Sequence, residues 1–332
     1  MSTIDVALGL GVENVERGSC EVAGARSSRG EVRRAYAGAV RVSVPRLNDT
    51  RSDYEAMFRL WSEVQGIRPA RVTLDFSRCN FIRHHGVAFL GGLIRFLQSN
   101  GSQVEIDWGT IHGAILRNLQ QNGFQLAFGG GVQPWRGNSI PFREDMTQAR
   151  DPIMGYLREH WLGARGVRVS ERLGNAIRGV VWEIYANAFE HAKSHIGVFT
   201  CGQLYPKRAQ LCLSVADFGT GIPSRVAAAY PRFALRPVEA LRWAFRVGNT
   251  TASSVARSRG MGLNLLEEFV EKNDGQLIVY SGGARAVFSK HAAQFDEAGA
   301  AFRGTIIDIR LKCDDSYYAL LSERAPTPGP LF

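Results

Sequence analysis

From residue 40 onward, hydrophobic positions follow two alternating rhythms. Val40, Val42 and Val44 are interleaved with Arg41 and Ser43, a period of two that predicts a strand. Pro45 and the run from Asn48 to Asp53 read as a turn, and Tyr54, Phe58, Leu60 and Trp61 then recur at roughly helical spacing over 52–65. Arg71 to Phe76 read as a buried strand, 86–99 as a helix with small residues on one face, and Val104 to Trp108 as a third strand. Gly101 stands where a helix C-cap belongs, and a short helix over 111–121 stops at Asn122-Gly123. Strands alternating with helices imply an α/β layer.

The pattern breaks over 129–150, where glycines and prolines replace any apolar period, so the chain is expected to change domain there. Helical segments follow near 147–162 and 170–192. Strands are expected at 195–201 and 209–216, joined by a turn containing Pro206. A glycine loop, a long irregular segment, a second glycine loop, a helix over 261–272 and strands near 276–281, 285–289 and 303–311 complete the series. The expected organisation is a flexible arm (1–31), an α/β domain (32–131), a linker (132–146), a second α/β domain (147–314) and a proline-rich tail (315–332).

Composition narrows this picture only a little. The 332 residues are 45% hydrophobic and 21% charged, ordinary for folded protein, and suffice for two domains. The formal charge of +9 permits anionic partners, but without a basic run nucleic acid is not the expected one. The five cysteines include no C-x-x-C pair, so free buried thiols in a reducing cytoplasm are expected rather than a disulfide framework or zinc site. The N-terminus lacks a basic n-region, and no apolar run is long enough to span a membrane.

The chemistry lies in the second domain. Glu183, Asn187 and His191 recur every four residues along one helix beside an apolar face. Asp217-Phe218-Gly219-Thr220-Gly221 follows an apolar strand, where glycines let the backbone approach a ligand and the carboxylate can accept from it. Gly260-Met261-Gly262 opens a helix whose free N–H groups favour phosphate. Each motif alone also fits an amphipathic helix or a tight turn. No P-loop pattern is present.

In this order the set resembles the GHKL ATPase superfamily, which includes histidine kinases and anti-sigma-factor serine kinases and has the Bergerat fold, an α/β sandwich. The resemblance covers roughly 147–312, with Gly304-Thr305 matching a late Gly-Thr. It implies Mg²⁺ and ATP. Asn187 would hold the metal, Asp217 the adenine amino group with Thr305 beside it, and Gly219 and Gly221 the base and ribose. Gly260 and Gly262 would hold phosphates, with His191 packed near them or at the helix end, and 246–259 would form a lid carrying Arg257 and Arg259. Glu183 would be the catalytic acid–base group. A regulatory ATPase or protein serine/threonine kinase is implied, the alternative being a nucleotide-gated interaction protein without significant turnover.

The first domain resembles a STAS domain, through Leu74-Asp75-Phe76-Ser77, Phe81-Ile82 and Gly86. This implies a docking module for a protein partner. Where that family often carries a phosphorylated hydroxyl, the chain reads Arg83-His84-His85-Gly86. This segment is expected as a surface loop, or alternatively as a contact for an anion, a metal, a partner or the second domain.

Overall fold

The valine alternation becomes the first strand of a computed structural model that describes residues 39–67, 69–162, 166–190, 192, 194–246 and 262–323. The N-terminal arm, His191, Gly260 and the lid residues 247–259 lie outside the described residues. The first elements are β1 (Ala39–Ser43), α1 (Arg51–Val64), β2 (Arg71–Asp75), α2 (His84–Ser99) and β3 (Gln103–Ile106), followed by α3 (Gly113–Gln121) and α4 (Phe124–Gly129). Thr50 caps α1 through a capping box with Asp53, which fixes where the helix begins. The three strands pair in parallel in chain order. Right-handed crossovers in that order put α1 and α2 on the same face of the sheet. Val72 and Leu74 point into this core while Thr73 and Asp75 are only half-buried, so β2 is covered mainly on one face rather than on both.

The chain continues through β4 (Ser139–Asp145), α5 (Arg150–His160), β5 (Arg168–Val169), α6 (Glu171–Glu190), β6 (Val198–Tyr205), β7 (Gln210–Asp217), α7 (Ile222–Ala229) and α8 (Pro237–Ala244). It ends with α9 (Gly262–Lys272), β8 (Gln276–Ser281), β9 (Ala284–Ser289), β10 (Ala292–Glu297), β11 (Thr305–Lys312) and β12 (Tyr317–Tyr318). Seven strands form one antiparallel sheet in the order β10-β9-β8-β11-β7-β6-β4. β5 and β12 form a separate two-stranded parallel ribbon, with β12 inside the segment expected as a loose tail. The fold is mixed α/β, and no helix among the described residues is long and apolar enough to cross a membrane.

Period-two alternation gives the large sheet two apolar faces. Leu211, Leu213, Val215, Ile307, Ile309 and Leu277 join α5, α6 and α9 in one core, whereas Phe199, Ala216, Ile278, Tyr280 and Ile306 join α1 and α2 in another. Helix α2 therefore lies between the two sheets. Every residue from His84 to Ile94 is buried, as expected for a helix apolar all round. A Cβ at Gly91 would overlap the Phe142 ring of β4, and one at Gly92 would overlap the Phe218 ring, so the small residues are the seats of two sheet aromatics. β4 itself lies in the segment expected as a linker. It pairs with β6 through a shift in register between Ile140 and Arg143, an irregularity that hides the strand's alternation. Residues 36–332 accordingly form one compact unit rather than two separated by 132–146.

The segment Arg83-His84-His85-Gly86 is buried, not a surface loop. His84 Nε2 lies 2.6 Å from the carboxylate of Asp308 on β11, and its Nδ1 3.1 Å from the Tyr205 hydroxyl. Tyr54 Oη and Arg310 Nε donate to the other Asp308 oxygen at 3.1 and 2.8 Å. Arg83 pairs with Asp49 at 3.1 Å and lies over the Tyr205 ring. A buried carboxylate demands such donors. Burial acts to raise the Asp308 pKa, but Arg310 and His84 outweigh it and hold the group well below the usual carboxylate range. His85 stacks on Tyr54 and meets the Asn48 carbonyl at 2.9 Å.

Burial pushes the His85 imidazole down to about 3, whereas an unfolded histidine titrates near about 6.5. The native state therefore holds it neutral. The stability this group contributes is present above the unfolded value and is lost as pH falls from there toward the folded one. Urea midpoints measured between pH 7 and 4.5 should fall more steeply in the wild type than in His85→Gln, and equal slopes would contradict the assignment.

Candidate functional site

Strands β7 and β8 end, and β11 begins, side by side, and these positions carry polar residues in a row. Asp217 pairs in register with Thr305, and Thr305 with Ser281. All three are buried. Ser281 Oγ and Thr305 Oγ1 are 2.9 Å apart, and Ser281 Oγ accepts the Ile222 N–H at 2.8 Å. Asp217 Oδ1 also accepts the Gly219 N–H at 2.9 Å. Burial dominates at Asp217 and pushes its pKa up to about 6, against the Gly219 N–H, the neighbouring Thr305 and the positive charge of Arg225.

The glycines are where the backbone leaves no room. A Cβ at Gly219 would overlap the Ala192 carbonyl, and one at Gly304 the Asp217 carbonyl. Gly221 has φ +75°, and its Cβ would sit 2.5 Å from the Arg303 carbonyl oxygen. At Gly221 a side chain is doubly excluded, by the backbone angle and by space.

Helix α6 is brought to the same place. Ser170 accepts the Leu173 N–H at 3.1 Å and so starts the helix. Its apolar side, including Ile177, Val181, Ile184 and Tyr185, joins the core on β7 and β11. Just past its end, Ala192 N–H donates to the Asn187 carbonyl at 3.1 Å, and Thr220 N–H donates to the Ala192 carbonyl at 2.8 Å. The Glu183–Asn187 segment and the Asp217–Gly221 loop are thus tied by two hydrogen bonds through one residue. Glu183 is half-buried and Asn187 exposed. Gly262 is the first residue of α9, where N–H groups without helical partners are available.

Two participants carry no signal in the sequence. Ser281 reads as a strand end before a Gly-Gly turn, and Arg225 as one more surface arginine. Only the pairing of β8 with β11 and the placement of α7 bring them to Asp217.

A second cluster invites a metal reading. His84, His85 and Asp308 offer donor atoms within 4.8 Å of one another. Asp308, however, is already engaged by His84, Tyr54 and Arg310, and the guanidinium supplies the positive charge a cation would bring. Cys79, Cys201 and Cys212 are buried free thiols, and Cys313 is half-buried and free.

No protein-family model matches this chain, and no curated protein is significantly similar to it in sequence.

A carboxyl that titrates near pH 6 when folded and near about 3.9 when unfolded contributes stability below the lower value and loses it as pH rises through the higher one. Asp217→Asn should therefore raise the melting temperature at pH 8 and leave it nearly unchanged at pH 4. A lower melting temperature at pH 8 would show that the carboxylate supports the fold instead of straining it.

Proposed function

We propose that the chain binds Mg·ATP at the row formed by Asp217, Thr305 and the end of α6, in the manner implied by the GHKL resemblance. One observation carries this reading. A buried carboxylate of raised pKa sits at the strand ends, hydrogen-bonded to backbone that glycines bring close, and Ala192 ties that loop to the helix bearing Glu183 and Asn187. An ionised Asp217 would accept from an adenine amino group, and the Thr305 hydroxyl lies beside it. The Asn187 amide oxygen is a suitable ligand for a hard cation, and its exposure leaves it open to a metal carried in with phosphates. The Gly262 end of α9 would meet phosphate oxygens. The bound metal would neutralise phosphate charge, and Glu183 would orient and deprotonate the attacking water or hydroxyl.

On this reading the protein is a regulatory ATPase or a protein serine/threonine kinase of anti-sigma type, with a STAS-like part that docks a protein partner. A cytoplasmic location accords with this role. The tight packing of Phe218 against α1 and α2 also favours a second reading, a nucleotide-gated interaction protein.

Asp217→Asn should weaken Mg·ATP binding by the worth of a charge-assisted hydrogen bond, about 1.5–3 kcal/mol. Wild-type affinity should fall as pH drops below about 6, because protonation removes the acceptor. Calorimetry from pH 5 to 8 tests both, and pH-independent binding or none would refute the site.

Glu183→Ala should keep affinity within a few-fold while lowering phosphate release or phosphotransfer by roughly 10²–10⁴. A wild type that binds Mg·ATP yet releases no phosphate and labels no protein would favour the gated alternative.

A further inference from the structure

Asp217 and its neighbour Phe218 face opposite ways across the end of β7. Asp217 belongs to the polar row on the α6 side. The ring of Phe218 enters the other core, among Trp61 of α1, Phe89 of α2, Phe199 of β6 and Phe302, with centroids 5.1–5.8 Å away. At its base lies Gly92 of α2, whose missing side chain is the space the ring occupies. Aromatic neighbours surround the ring, so it cannot turn aside without moving its own backbone. That backbone runs directly from Asp217, the last residue of β7, to the Gly219 N–H that its carboxylate accepts.

We propose that Phe218 is a positioning residue for the nucleotide site: seated in the notch at Gly92, it sets where Asp217 stands and makes nucleotide affinity depend on how α2 packs. The inference rests on the nucleotide reading above. It gives the N-terminal layer a role in the site without any residue of that layer touching the ligand.

Helix α2 supplies its own control. Gly91→Ala and Gly92→Ala make the same change in helix propensity, and each drives a methyl into an aromatic ring of the large sheet. Gly91 meets Phe142 of β4, while Gly92 meets Phe218. Overpacking should lower the melting temperature of both. Only Gly92→Ala should weaken Mg·ATP binding, by about tenfold or more, since displacements on the order of 1 Å at a binding group carry costs of that size. Only Gly92→Ala should also move the pH midpoint of binding, which follows Asp217, and speed hydrogen exchange of 216–221 without nucleotide. The double variant Gly92→Ala/Phe218→Leu, which trims the ring to make room for the methyl, should recover most of the affinity and the midpoint.

Equal effects of the two alanines on affinity, midpoint and exchange would overturn the proposal, as would a Gly92→Ala protein that binds like the wild type. Should Gly92→Ala fail to fold, Phe218→Leu alone decides. Faster exchange at 216–221 with a displaced midpoint is expected, and wild-type behaviour would refute the role. A wild type that binds no Mg·ATP would refute the nucleotide reading instead. The exchange comparison would still decide whether Gly92 holds the Asp217 loop in place.

Discussion

The architecture depends on covering the second face of the seven-stranded sheet. An antiparallel sheet can leave one face to solvent, and its strands then alternate apolar and polar. Here Phe199, Ala216, Ile278, Tyr280 and Ile306 make both faces apolar. α1 and α2 cover the second face, and the three-stranded parallel sheet packs beyond them. The features of α2 that look odd in isolation follow from this position. It is apolar on all sides because it has a sheet on two of them, and it has glycines where Phe142 and Phe218 come through.

Within that apolar contact Asp308 is a polar exception, and it gives the contact its register. Hydrophobic burial by itself is non-directional and changes little when one layer slides slightly over another. A fully buried carboxylate is sensitive to such sliding, because displacing either layer takes the His84 and Tyr54 donors from Asp308 and leaves it with Arg310 of its own strand. The segment 83–86 is thus an internal fastening between the layers. Arg83 and Arg208 extend it to Asp49, and the Arg83 guanidinium covers the Tyr205 ring.

Local chemistry was legible where a single segment determines it. The valines of β1, the helical spacing of α1 and the apolar run of β7 announce themselves, and so do Asp217 and the glycines after it. What stayed hidden depends on partners distant in sequence. β4 has the composition of a linker, and only pairing with β6 across a register shift makes it a strand. His84 and His85 look like surface residues until Asp308, more than two hundred positions later, is brought beneath them. Ser281 acquires its place from pairing alone, since nothing at positions 279–283 distinguishes it from any strand end. β10 likewise falls between the strands expected from the sequence, and its residues are largely exposed at the edge of the sheet.

A strand end is a place where neighbouring residues serve opposite sides. Along β7 and β11 the odd positions, Val215, Asp217, Thr305 and Ile307, look toward α6, and the even ones, Ala216, Ile306 and Asp308, look toward α2. Phe218 continues that alternation one residue past the strand, where glycines begin and the backbone is no longer held by two neighbours. Stiffness there has to come from the side chain. The Phe218 ring among four aromatics supplies it on one side, and the Thr220 hydrogen bond to Ala192 supplies it on the other. Asp217 itself stands in the ladder between Val198 and Thr305, and the loop after it, gripped by two layers, holds the Gly219 N–H against its carboxylate. Whatever loosens the grip from the α2 side is therefore transmitted directly to the carboxylate.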